Sequence, residues 1–228
     1  MGTTAPLAPP SLTAMRSVLP QYGVFSFDRT LAAAQESLGS DPDPASGDQA
    51  RRLRVWLNQW TCRIGYPSGE RDVFVESLAG WWSRAGDDLP PAEKRLAELG
   101  DVELGGIAAA YGDLWQRPAA VSASGRIRTM GPTAAAKLLY FLRPNAVTAW
   151  DKAISARTGG GSDQQAFLRH LTLCRTWAVA LEQEASQRGI GPEEIGRDLG
   201  RPASSVAKLI DEWLWAAISG SFGGDGSR

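Results

Sequence analysis

Histidine and cysteine are nearly absent from this chain of 228 residues, which contains one His and two Cys. Cys62 and Cys174 are too few for a disulfide framework, and with His170 they do not supply the four ligands of a regular zinc site. His170 lies in an apolar run, and we expect it to be a packed or capping residue rather than a catalytic base. The sequence therefore predicts a protein that uses no metal and no other cofactor.

Long hydrophobic runs and strand-like alternation are also absent. No window reaches the roughly 18 uninterrupted apolar residues that a membrane span requires. The small, proline-rich start, residues 1–10, lacks the basic and apolar regions of a secretory signal. No apolar run alternates over the length of a strand, so a sheet is not expected. These absences predict a cytoplasmic protein, which we expect to be a monomer without membrane contact.

Apolar residues instead recur at three- and four-residue spacing, which predicts an all-α fold of roughly eight to ten helices. The clearest apolar stripe, in residues 51–64, consists of Leu53, Trp56, Leu57, Trp60 and Ile64. Further helices are predicted at residues 26–38, 73–82, 90–99, 107–115, 133–141, from 151 onward, and at 163–188, 192–199 and 203–217.

Composition divides the chain into three parts. Residues 1–50 form a proline-rich N-terminal arm with one short helix, and residues 51–188 form the helical core. Residues 189–228 contain a C-terminal pair of helices, similar to a helix-turn-helix, and a flexible tail.

The charge of the chain is unevenly distributed. The net charge is −1, which is not typical of a nucleic-acid-binding protein. Between residues 117 and 157, however, there are seven cations against one acid, Asp151, so this segment alone carries +6. The cations are Arg117, Arg126, Arg128, Lys137, Arg143, Lys152 and Arg157. A local basic face is therefore expected, and a phosphate backbone responds to local charge.

The most informative segment reads TMGPTAAAKLLYFLRPNAVTAWDKAI, residues 129–154. A glycine-bearing turn that enters a helix leaves N–H groups unpaired, and these groups can bind a DNA phosphate. Asp151 follows Gly131 by twenty residues, at the expected start of the next helix. The helix between them is equally typical of a buried core helix.

This arrangement resembles the helix-hairpin-helix DNA glycosylase superfamily, in the version found in smaller bacterial members related to 8-oxoguanine glycosylases. The resemblance extends over about residues 50–180 and implies a glycosylase-like core with a helix-hairpin-helix element. In that family a glycine-rich hairpin grips one DNA strand, and an Asp at a helix start faces the flipped nucleotide. The resemblance thus implies a DNA N-glycosylase with DNA as its partner and Asp151 as a catalytic residue. The implied DNA contacts are Arg126, Arg128, Met130, Gly131, Pro132, Thr133 and Lys152.

Two departures from the family pattern bear on the reaction. The family hairpin usually reads Leu-Pro-Gly-Val-Gly, whereas residues 128–132 read RTMGP and lack the first glycine. Bifunctional members carry a Schiff-base lysine two residues after the second glycine, where this chain has Thr133. A monofunctional enzyme is therefore expected. Lys137 lies one helical turn further on, as a phosphate contact, a catalytic nucleophile or an ordinary surface lysine.

Asp151 and Trp150 each have a functional and a structural interpretation. Cleavage of an N-glycosidic bond builds positive charge on the sugar, which a fixed carboxylate stabilises, and the same carboxylate can activate water. Asp151 can also cap its helix, or do both. Trp150 either lines the base pocket, where a flipped base needs aromatic surface, or belongs to the core.

The C-terminal residues 191–210 resemble a helix-turn-helix, with Gly200 in the turn. Ser204, Ser205 and Lys208 would then face the DNA groove. The alternative function is thus a non-catalytic DNA-binding or regulatory protein, and a third is a helical interaction protein without nucleic-acid chemistry. An open cleft at Asp151 favours the enzyme, whereas an exposed basic second helix favours the regulator.

Overall fold

Helices account for most of the residues that the computed structural model describes, which are residue 7 and the ranges 9–22, 26–39, 42–64, 73–122 and 124–218. The all-α class is confirmed, because the described residues form ten α-helices and one two-stranded sheet. The helices are α1 Leu12–Val18, α2 Ser26–Leu38, α3 Gly47–Gln59, α4 Val73–Ala85, α5 Asp101–Leu114, α6 Pro132–Leu142, α7 Lys152–Arg157, α8 Gln164–Gln187, α9 Ile195–Asp198 and α10 Val206–Ile218. The strands are β1 Pro118–Val121 and β2 Ile127–Thr129.

The helices of the described residues pack around α5 and α8. None of these helices is both long and apolar enough to cross a membrane. The buried stripe of α8 recurs every three or four residues and consists of Phe167, His170, Leu171, Cys174, Trp177, Ala178 and Leu181. α4 packs on this core through Trp81, whose indole N–H donates to the carbonyl oxygen of Ala110 in α5 at 3.0 Å. α4 and α6 pack on α5, and α1 and α10 pack on α8. The segments between α5 and α8 are therefore attached to a closely packed core.

The N-terminal part is more structured than predicted. The helix expected at residues 26–38 is present as α2, but α1 is a second helix in the same region. The Leu12 N–H donates to Glu184 Oε2 at 2.9 Å, and Arg16 pairs with Asp198 at 2.5 Å. The described part of the predicted arm is therefore packed on the core. Residues 1–6 and the predicted C-terminal tail beyond residue 218 lie outside the described residues.

A sheet was not expected, and this prediction is wrong. The two strands pair antiparallel, with Val121 opposite Ile127 and Ala120 opposite Arg128. Four and three residues are too few to show an alternating pattern in the sequence. Pairing between the strands and packing of β1 against α4 hold the hairpin instead.

The helix predicted at residues 90–99 is also wrong, since this segment contains only a 3₁₀ turn, Leu96–Glu98. Its backbone hydrogen bonds are short turns, such as Lys94 N–H to Pro91 O at 3.1 Å and Glu98 N–H to Arg95 O at 3.0 Å, and further bonds connect it to the segment after α6. Leu96 N–H donates to the Asn145 carbonyl oxygen at 2.9 Å, and the Asn145 amide donates to the Ala92 carbonyl oxygen at 3.1 Å.

Candidate active site

A cleft of about 580 Å³ lies where the N-terminal ends of α6 and α7 meet the loop before α8. This volume is within the range of roughly 300 to 1,000 Å³ that is typical of small-molecule sites. The residues that line it are Pro132, Thr133, Trp150, Asp151, Lys152, Ser155, Ala156, Gly160, Gly161 and Ser162. The fold thus brings together five of the predicted site residues, namely Pro132, Thr133, Trp150, Asp151 and Lys152.

Asp151 is the N-cap of α7, and its carboxylate is held on one side only. Oδ1 accepts the N–H groups of Ala153 at 2.8 Å and Ile154 at 3.0 Å. Oδ2 accepts no hydrogen bond from any described residue, and the side chain is half-buried at the cleft wall. The capping interpretation is therefore confirmed, and the cap leaves one carboxylate oxygen available to a ligand.

Trp150 belongs both to the core and to the cleft. It is only 2% exposed, yet it is among the residues that line the cleft. Its ring packs against Tyr111, Phe167 and His170, with centroid distances of 5.8, 5.4 and 5.9 Å. The indole N–H is buried and finds no hydrogen-bond partner among the described residues, an arrangement that is uncommon away from functional sites.

His170 is a packing residue, as expected. Its Nε2 lies 2.8 Å from the Thr148 hydroxyl oxygen, and complete burial lowers the pKa of the imidazole to about 3. The ring is consequently neutral at physiological pH. The neighbouring Cys174 thiol is equally buried, which raises its pKa to about 12. Neither group has the exposure that a base or nucleophile in the cleft requires.

Gly160 and Gly161 line the cleft and belong to a loop of three glycines, residues 159–161, with φ of +107°, +71° and +94°. These left-handed conformations are open to glycine at low cost. At Gly161 a Cβ would also lie 2.8 Å from the Cβ of Ala166. Two hydrogen bonds fix the loop: the Ser155 hydroxyl donates to Gly161 O, and the Tyr111 hydroxyl donates to Ser162 O at 2.7 Å.

The turn before α6 differs from the element that the family resemblance implies. A β-hairpin, not a helix, precedes it, so the expected helix-hairpin-helix is not formed at residues 115–142. Gly131 adopts φ +78°, and its N–H donates to the Trp115 carbonyl oxygen at 3.0 Å. Pro132 has no N–H, so Thr133 and Ala134 carry the free donors of the first turn.

Met130 is not a surface residue, and the prediction that it contacts DNA is wrong. It is 4% exposed, and its N–H donates to the Arg117 carbonyl oxygen at 2.8 Å. Its side chain belongs to the hydrophobic core. Gly131, Pro132 and Thr133 are half-exposed and remain available for contact with a strand.

The seven cations of the basic segment divide into two groups. Arg117 forms an ion pair with Asp113, in which one guanidinium nitrogen donates to both carboxylate oxygens. Arg143 is buried and donates to the carbonyl oxygens of Pro90 and Leu142. Lys137 is half-buried. The remaining four are exposed and pair with no carboxylate of the described residues: Arg126, Arg128, Lys152 and Arg157. The basic face therefore carries fewer charges than the sequence suggested.

Lys137 does not reach the cleft. Its ammonium donates to the main-chain oxygen of Trp60 at 2.9 Å and lies 4.8 Å from the Trp60 ring centroid. It is not among the residues that line the cleft. This placement gives no support to the catalytic interpretation of Lys137, because both contacts hold its side chain against the end of α3.

The C-terminal pair is present, but its second helix does not face outward. Most of α10 is buried, including Asp211 and Glu212. Lys208 has a side chain that is 13% exposed and pairs with Asp211 at 3.0 Å. The Ser205 hydroxyl donates to the Pro144 carbonyl oxygen at 2.7 Å. The prediction that Ser205 and Lys208 face a DNA groove is therefore wrong, and Ser204 is half-exposed beside them.

Five lining residues were not predicted, namely Ser155, Ala156, Gly160, Gly161 and Ser162. The three consecutive glycines were visible in the sequence as a loop that follows the helix begun by Asp151. A glycine run near a candidate carboxylate was the available signal, but only the fold shows that the loop returns to face Asp151.

Comparison of the chain with family models, with curated proteins and with solved structures finds no match.

Proposed function

We propose that this chain is a monofunctional DNA N-glycosylase that takes a flipped nucleotide into the cleft and hydrolyses its N-glycosidic bond with Asp151. One observation carries the proposal: Asp151 presents a free carboxylate oxygen to a cleft of about 580 Å³ while two backbone N–H groups hold its other oxygen. A carboxylate fixed in this way needs no reorganisation when positive charge develops beside it.

The reaction requires little beyond this carboxylate and water. The bond between C1′ of the sugar and the base nitrogen breaks, and its electron pair leaves with the base. The sugar becomes cationic, and the carboxylate of Asp151 stabilises that charge. A water oxygen then bonds to C1′, and its proton passes to the carboxylate, which acts as general base.

The walls of the cleft suit a flat, polar ligand. Trp150 offers an aromatic surface, and the Thr133 and Ser162 side chains supply hydroxyl groups. The glycine loop allows close approach, because it presents backbone without side chains. These features favour a nucleobase as the occupant.

The DNA strand that carries this base would be bound by cations and backbone N–H groups near the cleft. Lys152 lies at the cleft, and Arg126 and Arg128 are exposed on the hairpin that leads into it. The free N–H groups of Thr133 and Ala134 lie at the start of α6, where the helix dipole favours an anion. These features support the proposal that residues 131–133 contact a backbone phosphate.

The positions of residue 133 and Lys137 support the monofunctional mode. Thr133 occupies the position of the Schiff-base lysine, and Lys137 is bound to Trp60. Lys152 is an amine at the cleft, so borohydride trapping with substrate DNA tests the mode directly. We expect no trapped adduct, and an adduct would reassign the chemistry to a lyase.

The experiment that tests the function is an unbiased screen. Purified protein is incubated with duplex and single-stranded DNAs that contain different damaged, modified or foreign bases, and released base is detected by mass. We expect release of one class of base by the wild-type protein and none by Asp151→Asn. A protein that binds these DNAs and releases no base from any of them contradicts the enzymatic proposal.

A further inference from the structure

A second cavity, of about 390 Å³, lies between α2, the segment after α6 and the turn before α10. α6 begins at the cleft, where Thr133 lines the wall, and ends at this cavity, which Tyr140 lines. The 11 residues of α6 span about 16 Å. The cavity is therefore separate from the Asp151 cleft, and we call it the second pocket.

Three polar side chains of the second pocket have hydrogen-bonding capacity that the described residues leave unused. The Gln35 amide and the Ser204 hydroxyl form no hydrogen bond with any described residue. Asn145 donates from its amide to the Ala92 carbonyl oxygen, but its Oδ1 accepts nothing from the described part of the chain. All three side chains are half-buried. Such a set favours a ligand that offers both donors and acceptors.

The two cations that line the second pocket are already paired. Arg201 donates to Glu212 at 2.8 Å, and Lys208 donates to Asp211 at 3.0 Å. Both acids are buried, so each cation is held against a carboxylate that does not reach solvent. The two pairs carry no net charge. The pocket therefore favours an uncharged ligand over a phosphate or another anion.

An aromatic ring completes the pocket. Tyr140 is only 2% exposed but belongs to the lining, beside Leu31 and Pro144. A flat ligand can pack its face against this ring. The second pocket thus combines flat apolar surface with amide and hydroxyl groups, and its volume is within the range of roughly 300 to 1,000 Å³ for small-molecule sites.

We propose that the second pocket binds an adenine base. Adenine presents an acceptor, N7, and a donor, the N6 amine, along one edge, and a side-chain amide of Gln or Asn matches this pair. Gln35 binds this edge, Asn145 Oδ1 accepts from the amine, and Tyr140 packs on the ring face. The base belongs either to a free nucleoside or to a nucleic-acid strand. The proposal does not depend on the chemistry at Asp151.

The test titrates full-length protein with adenosine, with a short single-stranded oligodeoxyadenylate and with inorganic phosphate, by isothermal titration calorimetry. Gln35→Leu keeps the size of the side chain and removes both of its hydrogen-bonding groups. The matched control is Gln187→Leu, because Gln187 is exposed at the end of α8 and does not line the second pocket. Neither side chain is buried, so melting temperatures should stay within about 2 °C of wild type.

We expect Gln35→Leu to bind adenosine about tenfold more weakly than wild type, and Ser204→Ala about threefold more weakly, since each loses hydrogen bonds to the base. Gln187→Leu should stay within about twofold. Inorganic phosphate should not compete. If only the oligonucleotide binds, and Gln35→Leu weakens its binding, the ligand is a base presented by a strand.

Three results would overturn the proposal. The wild-type protein could bind neither adenosine nor the oligonucleotide at millimolar concentration. Gln35→Leu could retain full affinity for both, which would mean that the base binds elsewhere, the Asp151 cleft included. Competition by inorganic phosphate would identify an anion site instead. None of these results changes the expected base release at Asp151, so the proposed function is tested separately.

Discussion

Lys137 donates its ammonium to the main-chain oxygen of Trp60 at 2.9 Å, with the Trp60 ring centroid 4.8 Å away. The two residues come from α6 and the end of α3. The bend that follows Trp60 contains Thr61 and Arg63 at φ of +59° and +53°, conformations that cost free energy for residues other than glycine. Lys137 therefore stabilises a strained bend.

Replacement of Lys137 by Met should lower stability and leave chemistry intact. The variant removes a charged hydrogen bond and a cation–π contact, which together stabilise by about 1 to 3 kcal/mol. Denaturant unfolding measures this loss, and base release should stay within about twofold of wild type. A borohydride-trapped adduct that disappears in Lys137→Met would show that Lys137 is a nucleophile after all.

Arg126 and Arg128, the exposed arginines of the β1–β2 hairpin, should make DNA affinity depend on salt concentration. Replacement of Arg126 and Arg128 by Gln should weaken binding about equally for all sequences, because phosphate contacts position a protein without reading bases. The slope of log K against log salt should decrease by about 0.9 for each phosphate that the variant no longer neutralises. Titrations at several salt concentrations measure both effects.

The matched control for this pair is Arg197→Gln. Arg197 is exposed on α9 and pairs with no carboxylate of the described residues, so its replacement changes the net charge without altering the β1–β2 hairpin. A loss of affinity per charge in Arg197→Gln equal to that of the hairpin variant would mean that DNA binding depends on total charge and not on Arg126 and Arg128.

His170 should make folding sensitive to acid. Burial lowers its pKa from 6.5 to about 3, so between these values the unfolded chain binds a proton that the folded chain does not. The free energy of unfolding should consequently fall as pH decreases through this window, by about 1.4 kcal/mol per pH unit for this group. Above pH 6.5 the imidazole is neutral in both states, so its protonation no longer lowers the free energy of unfolding.

The comparison protein for this effect is His170→Gln, which keeps a polar partner for Thr148 and does not titrate. Denaturant unfolding from about pH 6 to pH 4 should show a shallower decline for the variant than for wild type. Identical slopes would indicate that the imidazole is solvated in the folded protein.

Most of the helices could be predicted from the sequence because their apolar spacing is local. The start of α7 could also be predicted, since Asp151 is a good cap residue and follows the short connection that begins at Pro144. Its cap geometry follows from the same few residues. The cap therefore needed little tertiary information, whereas the place of Asp151 at the cleft depends on the fold.

Other features depend on partners that are distant in the sequence. Lys137 has the spacing of a surface or pocket lysine, but its partner Trp60 is 77 residues away. Asp211 and Glu212 look like solvated acids, yet both are buried, and Glu212 pairs with Arg201 at 2.8 Å. Burial and pairing of this kind are properties of the packed fold, and no local pattern encodes them.

The glycine wall of the cleft illustrates the same limit. Three consecutive glycines, residues 159–161, are by themselves typical of a loop, and all three adopt positive φ. The position of the loop opposite Asp151 results from the Tyr111 hydroxyl bond to Ser162 O, which joins α5 to the loop. That contact spans 51 residues.

The central claim concerns the charge on Asp151, and two isosteric variants test it. Asp151→Asn keeps a side-chain oxygen that can accept the N–H groups of Ala153 and Ile154 but removes the charge. Asp163→Asn is the matched control, because Asp163 caps α8 by accepting the Ala166 N–H at 2.8 Å and does not line the cleft. Both variants should unfold within about 1 kcal/mol of wild type.

The deciding measurement is single-turnover base release by these two variants on the substrate DNA, with DNA affinity and melting temperature recorded on the same samples. We expect Asp151→Asn to lose on the order of 10²-fold or more in rate, as other transition-state electrostatic groups do when removed. Its DNA affinity should hold or rise, because an anion near the phosphates is gone. Asp163→Asn should stay within about twofold of wild type in rate. Normal base release by Asp151→Asn would contradict its role as the catalytic residue.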